Sequence, residues 1–138
     1  MRVRLLVGMV VVVALGVGAA VAPAATNVKA TLPWLLTPYD DPYEPQAQAS
    51  VKGDVEAPAQ RYCEQGRRIE LFRDGKKIGS AKADKYGVWY LSIDPLVPGR
   101  YVAKTKKSAL PTKPPVNCKA AQSKPVVITA EIVAEFTS

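Results

Sequence analysis

From Arg67 to Lys106, apolar and polar residues alternate in short runs that are separated by glycine-containing turns. Successive side chains of a β-strand point to opposite faces of a sheet, so this alternation is typical of strands with one buried face. The turns recur about every 8 to 12 residues, a spacing found in β-sandwiches and β-barrels. The stretch therefore predicts the centre of a small β-sandwich.

Similar alternation continues on both sides of this stretch. Before it, Ala49, Val51, Gly53, Val55 and Ala57 fall on one face of a strand. The strands predicted along the chain cover residues 48–57, 68–73, 78–83, 88–93, 100–107 and 125–136. No helix is predicted after the N-terminal segment, so the predicted fold class is an all-β sandwich of six or seven strands.

Two turns are predicted from their residue types. Asp74 and Gly75 suit the positive φ angles of a tight hairpin, although the two lysines that follow allow a loop one or two residues longer. In the second turn, Asp84 can accept hydrogen bonds from backbone N–H groups, and Gly87 relieves the steric demand where the chain re-enters the sheet. Both turns are therefore interpreted as structural.

Three other residues are assigned to the scaffold. Trp89 falls on the inward face of its strand and is placed in the core, where its indole N–H would need a partner. Gly99 closes a loop that begins at Asp94 and contains two prolines. Tyr101 follows on the inward face of the next strand.

Residues 1–25 have the three parts of a secretory signal peptide. Arg2 and Arg4 form a basic start, residues 5–22 contain no charge, and Ala22 and Ala24 supply the small side chains that signal peptidase requires. We expect cleavage after Ala24 or within a residue or two of it. The alternative is an uncleaved membrane anchor, because the apolar run is close to the roughly 18-residue minimum for a spanning helix.

Residues 26–47 are predicted to form a proline-rich arm or linker before a domain at 48–138. Proline removes backbone donors, so neither a helix nor a central strand is expected here. Trp34, Leu35 and Leu36 would be unusual in a solvated linker. We therefore expect part of the arm to pack on the sandwich or on a partner.

The two cysteines, Cys63 and Cys118, both follow the signal segment. An even number of cysteines in an exported chain predicts a disulfide bond. A reactive thiol or a metal pair is the alternative, but the chain has no histidine and no third cysteine to complete such a site. No cofactor and no metal site are predicted.

Between the cysteines, several motifs follow in order: Ile69 with Leu71, then Gly79, then D-x-x-G-x-W ending at Trp89, then P-G-x-Y-x-A ending at Ala103. This order resembles small bacterial exported domains of the transthyretin-like class, also called prealbumin-like or carboxypeptidase regulatory-like. The resemblance covers about residues 48–133. It implies a seven-stranded Greek-key sandwich, usually non-catalytic, that serves as an accessory or adhesive module in secreted or envelope proteins.

Catalytic chemistry has little support in the sequence. The transthyretin-related hydrolases rely on histidines, which this chain lacks, so their activity is not carried over. The densest acidic group is Asp40, Asp41 and Glu44 in the arm, which has too few ligands for an ordinary calcium loop. No catalytic residue is assigned.

The basic residues offer the one candidate ligand surface. The chain has a net charge of +7, which becomes +5 when Arg2 and Arg4 leave with the signal. The central strands and their turns contain ten basic residues: Arg67, Arg68, Lys76, Lys77, Lys82, Lys85, Arg100, Lys104, Lys106 and Lys107. Arg68, Lys82, Lys104 and Lys106 fall on outward positions, and Tyr86 and Tyr90 are expected near the basic residues. If one sheet carries them, they form a positive surface for anionic wall polymers or acidic phospholipid heads. The alternative is an evenly solvated sheet face.

The sequence thus predicts an exported, non-catalytic binding or structural module at the cell envelope or outside the cell. Its expected partner is an anionic envelope polymer or another envelope protein, and nucleic acid is not expected because the chain has no phosphate loop and no nucleic-acid motif. A membrane-tethered module and a hydrolase of unrecognised type are the alternatives.

Overall fold

Two β-sheets pack against each other around a shared core, and a third small sheet carries the disulfide. The computed structural model describes residues 25–38 and 49–137. The predicted signal segment and the acidic group at 40–44 lie outside the described residues. In chain order the strands are β1 (Thr26–Val28), β2 (Trp34–Pro38), β3 (Ala49–Asp54), β4 (Arg68–Arg73), β5 (Lys76–Lys82), β6 (Val88–Ile93), β7 (Gly99–Thr105), β8 (Ser108–Leu110), β9 (Val116–Cys118), β10 (Ala121–Gln122) and β11 (Val126–Ile128).

The five-stranded sheet has the order β10-β7-β4-β5, and β11 pairs with β7 next to β10. Its β4–β5 hairpin turns at Asp74 and Gly75, whose φ angles are +48° and +80°. This confirms the predicted tight hairpin, and the loop is the two-residue form rather than a longer one. The register shifts between Leu71 and Phe72, and this bulge accommodates the extra residue Ile78 on β5.

The three-stranded sheet has the order β2-β3-β6, with antiparallel pairing throughout. The predicted inward face of its central strand is confirmed, since Ala49, Val51, Gly53, Val55 and Ala57 are all buried. The two sheets contribute to one hydrophobic core. Its largest fully buried side chains are Trp89 from this sheet and Tyr101, Ile69, Leu71 and Ile128 from the five-stranded sheet.

The predicted arm contributes two strands to the sheets, β1 and β2. Trp34 and Leu36 pack against the core, and the indole N–H of Trp34 donates to the Ser123 hydroxyl at 3.1 Å. Ser123 Oγ also accepts from the Ala103 N–H at 2.8 Å, so one buried hydroxyl joins the first sheet to the second. β2 lies at the edge of its sheet, a position that tolerates the flanking prolines.

The prediction of a strand over 125–136 is wrong beyond Ile128, because residues Ala130–Thr137 form a helix, α1. Thr129 caps it: its Oγ1 accepts from the Ile132 N–H at 3.3 Å, as a threonine N-cap does. Ile132, Val133 and Phe136 pack on the core at helical spacing. Over so few residues, the apolar pattern at 130–136 is compatible with a strand or with a helix. The capping threonine is the signal that favours the helix.

The third sheet has the order β1-β9-β8, with β1 parallel to β9. It encloses a second small core of Val28, Ala57, Val116 and the Cys63–Cys118 disulfide. The predicted disulfide is thus confirmed. The described residues form a mostly β structure, as predicted, in eleven strands over three sheets.

Candidate functional site

Four basic residues predicted to form one surface lie on the outer face of the five-stranded sheet. Arg68 on β4 is directly opposite Lys82 on β5, and Lys104 on β7 is opposite Glu70 on β4. Lys106 follows β7 on the same side, and all four side chains are exposed. With Lys77 they form what we call the basic face: Arg68, Lys77, Lys82, Lys104 and Lys106. The sheet register therefore brings together residues that are up to 38 positions apart in the chain.

Glu70 is the one acidic residue in the five strands of this sheet, and it lies in the middle of the basic face. The Lys77 ammonium donates to Glu70 Oε1 at 3.2 Å, and this hydrogen bond, with the nearby charges of Lys77, Lys106 and Arg68, lowers the pKa of the Glu70 carboxyl. Glu70 is therefore ionised at neutral pH and cancels part of the positive charge. Five cations around one carboxylate still leave the face strongly positive.

The side chain of Lys104 is held over an aromatic ring. Its Nζ lies 4.7 Å from the centroid of the Phe72 ring, within range of a cation–π contact. Phe72 pairs with Val102 on the neighbouring strand β7. Val102 is buried, although the alternation of β7 places it on the outer face of the sheet. The aromatic ring thus fixes one cation of the basic face.

A groove opens beside the basic face, between β4, the end of β7 and β8. We call it the Tyr62 groove; it has a volume of about 470 Å³. Its lining combines an exposed aromatic side chain, three cations and small polar groups: Tyr62, Gln65, Arg68, Glu70, Lys106, Lys107, Ser108, Ala109 and Leu110. Tyr62 is 62% exposed, which is high for so large a side chain. A second depression of about 410 Å³ shares Glu70, Thr105 and Lys106 with this groove and extends past Lys104.

Arg67 forms the floor of the groove rather than part of its charged surface. The expectation that Arg67 belongs to the positive surface is wrong, because its side chain is only 5% exposed. Its Nη1 donates to the Cys63 carbonyl at 2.9 Å, and its Nη2 donates to the carbonyls of Lys106 and Lys119 at 2.9 and 3.0 Å. Burial lowers the pKa of this guanidinium. Arg67 therefore ties three chain segments together.

The disulfide fixes the wall of the groove on the Tyr62 side. Tyr62 precedes Cys63 in a short 3-10 helix, Arg61–Cys63, and Cys63 is bonded to Cys118 on β9. A larger depression of about 750 Å³ lies on the other side of β8, where Asn27, Asn117 and Lys119 line it together with Lys107 and Ser108. The sequence predicts neither the Tyr62 groove nor this larger depression, because both depend on how β8 packs against the segments that the disulfide joins.

Tyr86 and Tyr90 both lie outside the strands of the five-stranded sheet that carries the basic face. Tyr90 lies on β6 in the three-stranded sheet, where the Nζ of Lys52 is 5.7 Å from its ring centroid. Tyr86 lies in the turn before β6 and contacts Lys85, whose Nζ is 4.9 Å from its ring centroid. The aromatic residues beside the basic face include Phe72, which lies under Lys104, and Tyr62, which lines the groove with Arg68.

The residues assigned to the scaffold make scaffold contacts. Asp84 Oδ1 accepts from the N–H groups of Tyr86 and Val88 at 2.8 and 3.0 Å, and Gly87 has a φ angle of +81°. Tyr101 is fully buried, and its hydroxyl donates to the Val97 carbonyl at 2.6 Å. A Cβ atom on Gly99 would lie 2.9 Å from the Asp74 carboxylate, so the neighbouring hairpin approaches it closely.

Trp89 is buried in the core as predicted, at 1% exposed. The expectation that its indole N–H finds a partner is wrong within the described residues, where Nε1 makes no hydrogen bond. The indole instead packs against the backbone of Gly53 on the neighbouring strand.

Neither metal chemistry nor a membrane helix is found in the part of the chain that the structure describes. Residues 25–38 and 49–137 contain no group of three or more histidine, cysteine, aspartate or glutamate side chains that could hold a metal ion. Within the same ranges, no helix is long and apolar enough to cross a membrane. Comparison with protein-family models, curated proteins and solved structures gives no match for this chain.

Proposed function

We propose that the protein is an exported, non-catalytic module that binds an anionic polymer through its basic face. The observation that carries this proposal is the register of β5, β4 and β7, which places Lys82, Arg68, Lys104 and Lys106 on one exposed surface. Such a surface attracts polyanions over a distance of about 10 Å at 0.1 M salt.

The arrangement favours a ligand role over an evenly solvated sheet. Solvated faces usually intersperse both signs of charge, whereas the strands of this sheet contain one acid. Lys104 is also held in place by Phe72, so less side-chain entropy is lost when a ligand binds it.

Export is part of the proposal. The Cys63–Cys118 disulfide is of the kind that forms in oxidising compartments, and it agrees with the predicted signal peptide at 1–25. The intact mass of the protein recovered from culture medium tests this: the proposal expects a chain that begins near Ala25 and lacks two hydrogens. A full-length chain found in membranes would favour the tethered alternative.

The absence of catalysis is also proposed, and Glu70 supports it. A general acid needs a raised pKa near the working pH, but Lys77 and the other cations lower the pKa of Glu70. This carboxylate is suited to position cations rather than to transfer protons.

The transthyretin-like, seven-stranded Greek-key assignment also belongs to the proposal. Its support is the hydrogen bond from the Tyr101 hydroxyl to the Val97 carbonyl four residues earlier. A buried tyrosine bonded to the preceding loop is a recurrent feature of Greek-key sandwiches.

Charge reversal tests the binding proposal. The triple variant Lys82→Glu, Lys104→Glu, Lys106→Glu should bind polygalacturonate and poly-γ-glutamate at least about tenfold more weakly at low salt, because three attractions become repulsions. The matched control is Lys29→Glu, Lys52→Glu, Lys113→Glu, which makes the same charge change at exposed residues outside the strands of the five-stranded sheet. Equal losses in the two triple variants would mean that only net charge matters and would overturn the proposal. Circular dichroism melting checks that both variants fold.

A further inference from the structure

We infer that the Tyr62 groove binds an acidic sugar unit, so that the polymer held by the basic face is an acidic polysaccharide. This inference rests on the proposed function and specifies its ligand. It combines three properties of the groove: an exposed aromatic ring, cations beside that ring, and a volume that suits a sugar.

The aromatic ring is the first property. Tyr62 is 62% exposed and lines the groove together with Ala109 and Leu110. The face of an aromatic ring carries partial negative charge, and the C–H groups on one face of a sugar ring carry partial positive charge, so the two surfaces pack favourably. A polyphosphate or a polyglutamate chain has no such flat C–H face to place there.

The cations provide the second property. Arg68, Lys106 and Lys107 line the same groove as Tyr62. Arg68 has several N–H donors and uses Nη2 for the Ser80 hydroxyl, so a planar carboxylate can be bound by its remaining donors. Gln65 and Ser108 add neutral polar groups of the kind that bind sugar hydroxyls. The lining therefore matches a ring that carries both hydroxyls and an acid.

The shape is the third property. The groove has a volume of about 470 Å³, within the usual range of small-ligand sites. It shares the lining residues Glu70, Thr105 and Lys106 with the depression beside Lys104, so one chain can occupy both the groove and the basic face. An extended polymer can enter such a groove, whereas the flat surface of a lipid bilayer cannot. The shape therefore favours a polysaccharide over a membrane.

The walls of the groove are also braced by a covalent bond and by hydrogen bonds. The disulfide fixes Cys63 next to Tyr62, and the buried Arg67 joins the Cys63 carbonyl to the carbonyl of Lys106 on the opposite wall. A preformed site loses less conformational entropy on binding.

The test compares two polyanions at matched charge density: polygalacturonate, whose acids sit on sugar rings, and poly-γ-glutamate, which has no sugar. We expect tighter binding of polygalacturonate. Tyr62→Ala should weaken polygalacturonate binding about fivefold and leave poly-γ-glutamate binding unchanged, since only the sugar contacts the ring. Tyr62→Phe should retain binding. Tyr90→Ala is the matched control, because Tyr90 is 60% exposed but lies on the other sheet.

The outcomes distinguish a failure of this inference from a failure of the proposal on which it rests. If both polymers bind equally and Tyr62→Ala affects neither, the sugar site is refuted while the basic face still stands. If neither polymer binds, both fail. If vesicles of phosphatidylglycerol bind more tightly than either polymer, the ligand is a membrane surface and the sugar site is refuted.

Discussion

The indole of Trp89 packs so closely against Gly53 that a Cβ atom at position 53 would clash with Cε2 of Trp89. The two residues are paired across β3 and β6, and both are buried. The Trp89 indole can therefore occupy this position only because Gly53 on the neighbouring strand has no side chain.

Gly53→Ala should therefore destabilise the protein by about 3 kcal/mol, because the added methyl group overpacks a core that has no space for it. The melting temperature should fall by about 10 °C or more. In a Trp89→Phe background the same substitution should cost less, since the smaller ring leaves room, and a double-mutant cycle measures the difference. Equal costs in both backgrounds would show that the contact with Trp89 is not the cause.

Arg67 should contribute to stability through its three carbonyl partners. Arg67→Met removes the donors and leaves the carbonyls of Cys63, Lys106 and Lys119 without them, at an expected cost of about 2 kcal/mol. The exposed neighbour provides a matched control, and Arg68→Met should cost less than about 0.5 kcal/mol. Urea unfolding measures both values, and similar costs for the two variants would contradict the role of Arg67 in joining these segments.

The disulfide should stabilise the fold strongly. It joins residues 55 apart, and closing a loop of this length stabilises by roughly 4 kcal/mol in the chain-entropy model. The double variant Cys63→Ala, Cys118→Ala should melt about 15 °C lower or more. Wild-type protein reduced with dithiothreitol is the control and should melt close to the double variant. If oxidised, reduced and mutant proteins all melt together, the bridge does not stabilise this fold.

Glu70 should restrain polyanion binding at neutral pH. Its pKa is lowered in the folded protein, so its contribution to stability is present above its ordinary pKa and is lost as the pH falls through the lowered value. Protonation also leaves Lys77 unpaired and makes the basic face more positive. Binding of dextran sulfate, whose sulfates stay ionised, should therefore tighten as the pH falls below the ordinary glutamate range.

Glu70→Gln should reproduce that gain at pH 7, tightening dextran sulfate binding about threefold through the loss of one negative charge. Glu131→Gln is the control: Glu131 also has a lowered pKa, through its own backbone N–H and the Thr129 hydroxyl, but it lies in the first turn of α1. A Glu70→Gln protein that binds no more tightly than the control would contradict the electrostatic role of Glu70.

The parts of the fold that the sequence predicted are those set by neighbouring residues. The inward face from Ala49 to Ala57, the tight turn at Asp74 and the hydrogen bonds of Asp84 follow from alternation and turn chemistry within a few positions. The helix at the C-terminal end was missed because Thr129 was interpreted as a strand residue, although its position before Ala130 is that of an N-cap.

The candidate site was predictable in part. Outward alternation of Arg68, Lys82, Lys104 and Lys106 was visible in the sequence, and the register then placed them on one sheet. Tyr62 was missed because nothing about its neighbours marks it as part of a groove. Its position next to a disulfide cysteine was the available signal, since such a residue is held rigidly.

By itself, the sequence determined which residues point inward, where the chain turns and that its cysteines can pair, because these properties depend on local geometry and composition. The tertiary structure alone decided that Trp34 meets Ser123 across 89 residues, that Arg67 is buried against three carbonyls, and that Tyr62 lies beside the cations. Those contacts join distant segments, and their partners are chosen by strand order and register, which the period of a single strand does not encode.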